Sequence, residues 1–325
     1  MKSNKLAYFL SGLCMLIIVL IVCMFSVRSV REGGPIVTLA EQGELRNTIE
    51  IPLSEAADIS VTYTSDNLKV YPIEGDTVII KEYLSSRREN ALASVDIGNG
   101  KVAVTGGKRD TLTSFLWISI NERIEIYLPK EGIQNLEIQT SSGNITTEEG
   151  FALQAGTVSV NAKSGNIKWQ ETKAGQVDIE ASSGNLRVNQ TAADAITLTA
   201  KSGNISAGDL SGKAEITAGS GNVTVTEFSG QGSVTTQSGN VKVEAEEITG
   251  DMSLEAGNGN VRLTIPTELS FELEINTGSG NIHTDFDHAV SYNKDGNHAT
   301  GVVGAAPVGK LSLKAGSGNV SLKTE

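Results

Sequence analysis

Between residues 136 and 322 the chain alternates apolar and polar positions with period two, and the alternation itself recurs in phase every 18–22 residues. Aligned on one glycine per copy, the position five before it is always apolar: Ile138, Val160, Ile179, Leu198, Ile216, Val234, Leu254, Ile275 and Leu313. The position two after it is apolar as well: Ile145, Ile167, Leu186, Ile205, Val223, Val241, Val261, Ile282 and Val320. Three before it the chain is small, from Thr140 and Ala162 through Ala181, Ala200, Ala218, Thr236, Ala256 and Thr277 to Ala315. Polar residues separate these columns, so each copy predicts two strands with one buried face apiece.

The bend between the two arms carries a Gly-Asn pair: Gly143-Asn144, Gly165-Asn166, Gly184-Asn185, Gly203-Asn204, Gly221-Asn222, Gly239-Asn240, Gly259-Asn260, Gly280-Asn281 and Gly318-Asn319. The steps between successive glycines are 22, 19, 19, 18, 18, 20, 21 and 38, the last reading as two beats with one marker missing. Such a period has two physical solutions, a β-solenoid whose equivalent residues stack in ladders or an antiparallel meander of hairpins. A small column beside the bend suits the narrow corner of a coil. An asparagine at one fixed place suits an inward or edge-lying amide ladder, each amide bonding the backbone of the next coil. These favour an all-β β-solenoid of about ten or more coils, a rod of roughly 50 Å.

Residues 6–27 are a largely apolar stretch flanked by Lys2, Lys5, Arg28 and Arg31. As a helix it spans about 33 Å, enough for a bilayer core. It is longer than a signal-peptide core and Phe25-Ser26-Val27-Arg28 lacks a small-residue cleavage site, so the expectation is one transmembrane α-helix as an uncleaved anchor. Flanking charge barely sets its orientation. The Gly-, Ser-, Thr- and Asn-rich remainder contains no Cys after Cys23, and points to a single-pass protein of the cell membrane with its C-terminal domain extracytoplasmic. The expected order is a short cytoplasmic tail (1–5), the anchor (6–27), a tether (28–48), degenerate capping coils (49–135), and the regular Gly-Asn solenoid (136–325) interrupted by an irregular insertion (285–309).

Within 49–135, Ile59, Val61 and Tyr63 precede the bend Ser65-Asp66-Asn67, with Asp66 in the glycine place; Val95 and Ile97, Gly100, then Val102 and Val104 read as a further coil. Two lead-ins match: Ile126-Tyr127-Leu128-Pro129 lies 14 residues ahead of Gly143, and Leu263-Thr264-Ile265-Pro266 lies 14 ahead of Gly280. Proline cannot sit within a ladder, so both mark strand ends where the path is wider.

The net charge of −12 argues against a general attraction to polyanions and against nucleic acid as a partner. The outward positions are nevertheless sorted by sign. Glu137, Asp178, Glu180, Glu215, Glu255 and Glu274 fall on the first arm; Lys168, Arg187, Lys242, Arg262 and His283 fall three after the glycine on the second. This is either a solvated surface that resists edge-to-edge aggregation or a stripe able to meet anionic wall polymer or lipid heads. His283, Asp285, Asp287 and His288 are donor types suited to a divalent metal, but the group occurs once and His283 holds an ordinary outward position. Glu137, Asp178, Glu180 and Glu215 could align as a glycan-cleaving set, yet they are scattered among Ser and Thr. No catalytic residue, metal or cofactor is therefore expected.

The repeated Ser-Gly-Asn-(Ile/Val) beats, the preceding (Ile/Val)-x-(Ala/Thr) arm and the Leu128-Pro129 lead-in resemble a bacterial putative-adhesin, LiaG-like domain family of unknown function, over about residues 58–323. The resemblance implies a Gram-positive membrane setting and an association with envelope stress, and no catalytic residues to carry over. The expected function is a non-catalytic interaction protein of the envelope whose partner is wall polymer or an envelope protein. The alternatives are a scaffold assembling through an open solenoid end at Leu311, Leu313, Val320 and Leu322, and a polysaccharide-acting enzyme.

Overall fold

The computed structural model describes residues 43–55, 57–86, 88–108 and 122–325. The expected tail, anchor and most of the tether lie outside these residues. No described helix is long and apolar enough to cross a membrane.

The repeats pair in parallel, each arm on its own counterpart. Ile138, Val160, Ile179, Leu198, Ile216, Val234 and Leu254 succeed one another across the first-arm sheet. Ile145, Ile167, Leu186, Ile205, Val223, Val241 and Val261 do so across the second. Both columns are buried, so the copies are stacked coils and not hairpins. Each central coil also has a third short run, which the two-arm reading missed. Gln190, Asp209 and Glu227 turn the chain into it with φ of 54°, 53° and 54°, and it buries Thr191, Leu210 and Phe228 in succession. No glycine marks this corner, which is why the pattern hid it.

At the Gly-Asn bend the coils approach so closely that a Cβ on Gly221 would stand 2.1 Å from the carbonyl oxygen of Gly203, at a φ of +146°. The glycine is thus required by the neighbouring turn as well as by its own dihedral angle. Where Thr replaces Ala in the small column its buried hydroxyl is satisfied at the same bend: Thr236 Oγ1 donates to the Gly221 carbonyl at 2.9 Å, and Thr277 Oγ1 to that of Gly318 at 2.8 Å. The asparagines form a continuous ladder in which each Oδ1 accepts the backbone N–H of the next asparagine at 2.8–3.0 Å. It runs from Asn67 through Asn144, Asn166, Asn185, Asn204, Asn222, Asn240, Asn260 and Asn319 to Asn281. The ladder lies at the exposed edge, not inward. Asn204→Ala should therefore cost about 0.5–1.5 kcal/mol, since water replaces the lost acceptor, whereas Gly221→Ala should cost about 2 kcal/mol or more from overlap and strain. Denaturant melts of the two variants check the order.

Spatial order departs from chain order at both ends. The strand Asn67–Ile73 lies between Arg123–Pro129 and Ile145–Thr147. After Pro129 the chain thus steps over the 58–73 coil before resuming at Ile133–Thr140. Likewise Val320–Thr324 lies between Val261–Ile265 and Ile282–Thr284, and Lys310–Ser317 between Val241–Asn258 and Phe271–Ser279. After Pro266 the chain leaves one slot empty, and the 310–324 coil fills it. Both proline lead-ins mark these double steps.

Three expectations are corrected here. The 38-residue step hides no coil: its middle supplies His298–Val303, which caps the first-arm sheet antiparallel to Phe271–Ser279, and Val290–Tyr292, which lies beyond it and antiparallel to His298–Val303. The coil bearing Leu311, Leu313, Val320 and Leu322 is not an open end, because it has a coil on either side. Ser94–Gly98 and Lys101–Thr105 form an antiparallel hairpin rather than a coil, turned by Asn99 and Gly100 at positive φ, the pair that favours a two-residue hairpin turn. In addition, Glu44–Pro52 is a strand antiparallel to Thr77–Leu84, so strand structure begins within the span assigned to the tether. Buried Glu82 joins this cap to the first coil, accepting from Asn47 Nδ2 at 2.8 Å, Tyr63 Oη at 3.1 Å and the Ala93 N–H at 2.9 Å.

Candidate binding face and groove

The second arm presents one outward column three residues after each glycine. Register fixes its order as Lys69, Thr146, Lys168, Arg187, Ser206, Thr224, Lys242, Arg262, Ser321 and His283. Lys168 and Arg187 are thus neighbours about 4.8 Å apart, as are Lys242 and Arg262, with two hydroxyl rungs between the pairs. Lys168, Arg187 and Arg262 are exposed. Lys242 bonds Glu244 at 2.7 Å and Lys69 bonds Glu148 at 3.1 Å. The Gly and Asn residues named from the sequence form the bend beside this column.

The acidic column lies on the other sheet. Glu137, Asp178 and Glu215 alternate with Ser159 and Thr197, so successive carboxylates are two rungs apart. Glu180 bonds Lys201 at 2.9 Å. Burial first, and then the Glu180 charge, push the Asp178 carboxyl above its ordinary value. These residues lie along a sheet face, and none of them lines either of two grooves formed by other described residues.

One groove, of about 970 Å³, opens at the C-terminal end of the second-arm sheet. Its floor carries Lys242, Arg262, Ser321, His283 and Lys323, and its wall Asp285, Asp287 and Tyr292. Asp285 Oδ2 accepts the Thr324 N–H at 2.9 Å, while Asp287 Oδ1 accepts from Tyr292 Oη at 2.6 Å. The Tyr292 hydroxyl is pushed up to about 12, by burial first and then by that bond. Among the described residues no three His, Cys, Asp or Glu side chains converge to hold a metal.

Sequence reasoning missed a cluster at the opposite end of this sheet. Tyr71 and Tyr127 stack at 5.0 Å, Arg123 lies 3.8 Å over the Tyr83 ring, and the Lys81 ammonium lies 4.7 Å from the Tyr127 centroid. The residues come from three strands, and only the non-sequential pairing brings them together. Burial alone would raise the Glu125 carboxyl. Hydrogen bonds from Arg123, Tyr127 and Tyr83, with the Arg123 charge, outweigh it and hold the group below the ordinary carboxylate value. A lowered folded value stabilises above the unfolded value and is lost as pH falls through the folded one. Acid titration of stability from about pH 5 downward should thus show a larger loss in the native chain than in Glu125→Gln.

The family model described as Toastrack DUF4097 matches residues 43–323. The chain is also similar to solved structures of proteins described as putative adhesins. One, from Bacteroides fragilis NCTC 9343, is 12% identical, covers 85% of this chain and 96% of its own, and has a TM-score of 0.41. Another, from Parabacteroides distasonis ATCC 8503, is 11% identical over 87% and 98%, with a TM-score of 0.39. A third, from Parabacteroides merdae ATCC 43184, is 14% identical over 87% and 97%, with a TM-score of 0.34. No curated protein matches the chain.

Proposed function

This chain belongs to the Toastrack DUF4097 family, and on that premise we propose that it is a non-catalytic binding rod, anchored in the cell membrane and facing outward. Its partner is anionic envelope polymer, held along the second-arm face. One observation carries this reading: parallel register sets Lys168 directly beside Arg187, both exposed and without an ion pair among the described residues. Paired cations on a rigid lattice suit a chain of regularly spaced anions. The acidic column of Glu137, Asp178 and Glu215 lies on the other sheet, and neither Lys168 nor Arg187 is tied to a carboxylate among the described residues, so the overall charge does not cancel the local one. In the double variant Lys168→Gln/Arg187→Gln, affinity for soluble poly(glycerol phosphate) should fall at least fivefold and lose most of its salt dependence, with the melting temperature unchanged. Affinity equal to that of the native chain would remove the proposal.

A second reading, scaffolding by end-to-end association, is favoured by the hairpin strand Ser94–Gly98, where Val95 and Ile97 are 40% and 55% exposed on an outer strand. Sedimentation that depends on concentration, and is abolished by Ile97→Lys, would support it over the polymer reading.

A further inference from the structure

We propose that the groove at the C-terminal end of the second-arm sheet is a site for a zwitterionic amino-alkyl phosphate, a phosphate ester bearing an ammonium group a few bonds away. The proposal rests on the reading of the second-arm face as a binding face, and gives that face a specific terminus. Arg262 and His283 each stand directly across the ladder from Ser321, one on either side. A tetrahedral anion seated over the Ser321 hydroxyl is therefore within reach of a guanidinium fork, a hydroxyl donor and an imidazole N–H, the donor types that suit phosphate. The Arg262 and His283 side chains have no hydrogen-bond partner among the described residues, so neither has to give one up to take the ligand.

A simple anion site would not be walled with carboxylates, and this one is. Asp285 and Asp287 each spend one oxygen internally, on Thr324 and Tyr292. That leaves Asp285 Oδ1 and Asp287 Oδ2 without a hydrogen-bond partner among the described residues. Beside them Tyr292 is 42% exposed, which offers an aromatic surface to a cation. Floor and wall line the same groove of about 970 Å³, ample for a headgroup-sized molecule. The opposite charges of floor and wall orient a ligand that carries both signs and disfavour one that carries only one.

Calorimetric titration of the full chain in a maltoside detergent tests this with three probes: O-phosphoethanolamine, glycerol 3-phosphate and ethanolamine. O-phosphoethanolamine should bind at least tenfold more tightly than either of the others. Arg262→Gln should weaken it at least tenfold. Asp287→Asn should bring it down to the level of glycerol 3-phosphate, with the melting temperature of both variants unchanged, as expected for exposed side chains. Absence of saturable binding, or equal affinity for O-phosphoethanolamine and glycerol 3-phosphate, would overturn the proposal. Displacement of the bound probe by phosphatidylethanolamine vesicles identifies a lipid source, and displacement by soluble envelope polymer identifies a polymer source. The polymer reading stands or falls separately, on Lys168 and Arg187, which lie outside this groove.

Discussion

Leu198→Asp and Ile216→Asp are each expected to unfold the coils around them, at a cost of about 4 kcal/mol or more. Both side chains are essentially inaccessible, at 0% and 1% exposure, and the ladder packs each against apolar counterparts on either side. A carboxylate there meets no donor and no water. Thr217 lies between Ile216 and Ala218 on the opposite, exposed face of the same strand, so Thr217→Asp should change stability by no more than about 0.5 kcal/mol. Chemical denaturation monitored by circular dichroism compares the three. Equal losses would mean that the faces are wrongly assigned. Because coils contact only their neighbours, the two core variants should also broaden the transition as the stack breaks into two halves.

The second large effect concerns the slot after Pro266. Leu313 is fully buried between Leu254 on one side and Ile275 on the other. Leu313→Asp should therefore release residues 271–303 together with its own coil, although those residues come earlier in the chain. Hydrogen exchange read by mass spectrometry should show lost protection across 271–324 and retained protection across 177–238. Protection lost from 310–324 alone would describe a frayed terminus, and would contradict the insertion of that coil between two others.

The repeat was legible because its columns are enforced at every turn. A bulky residue faces the core, a small one fits the corner, and glycine alone tolerates the neighbouring carbonyl. Asp66 and Asn67 could be recognised as a degenerate bend for the same reason, since the ladder begins on Asn67. What the sequence withheld was adjacency. Every coil offers the same edge to either neighbour, so periodicity is blind to which coil lies next to which. The only traces of the double steps are Pro129 and Pro266, whose meaning becomes plain once the pairing is known. The Asn99-Gly100 turn was overridden by a period that counted its hairpin as another coil. The groove escaped notice because Arg262, Ser321 and His283 are neighbours only after the last coil is inserted, which sets Gly259 and Ser317, 58 positions apart, on adjacent rungs. The candidate cations, by contrast, could be listed from phase alone, since Lys168 with Arg187 and Lys242 with Arg262 come from consecutive copies.

The inserted coil also sets a timetable for synthesis. A nascent chain that has delivered residues 271–284 but not 310–324 has no proper seat for them, and the edge of the preceding turn stands bare. Completion of this end must wait for the later segment, so a truncated product exposes raw strand edges that recruit chaperones, proteases or one another. The fold thereby distinguishes a finished molecule from an interrupted one before any partner is met.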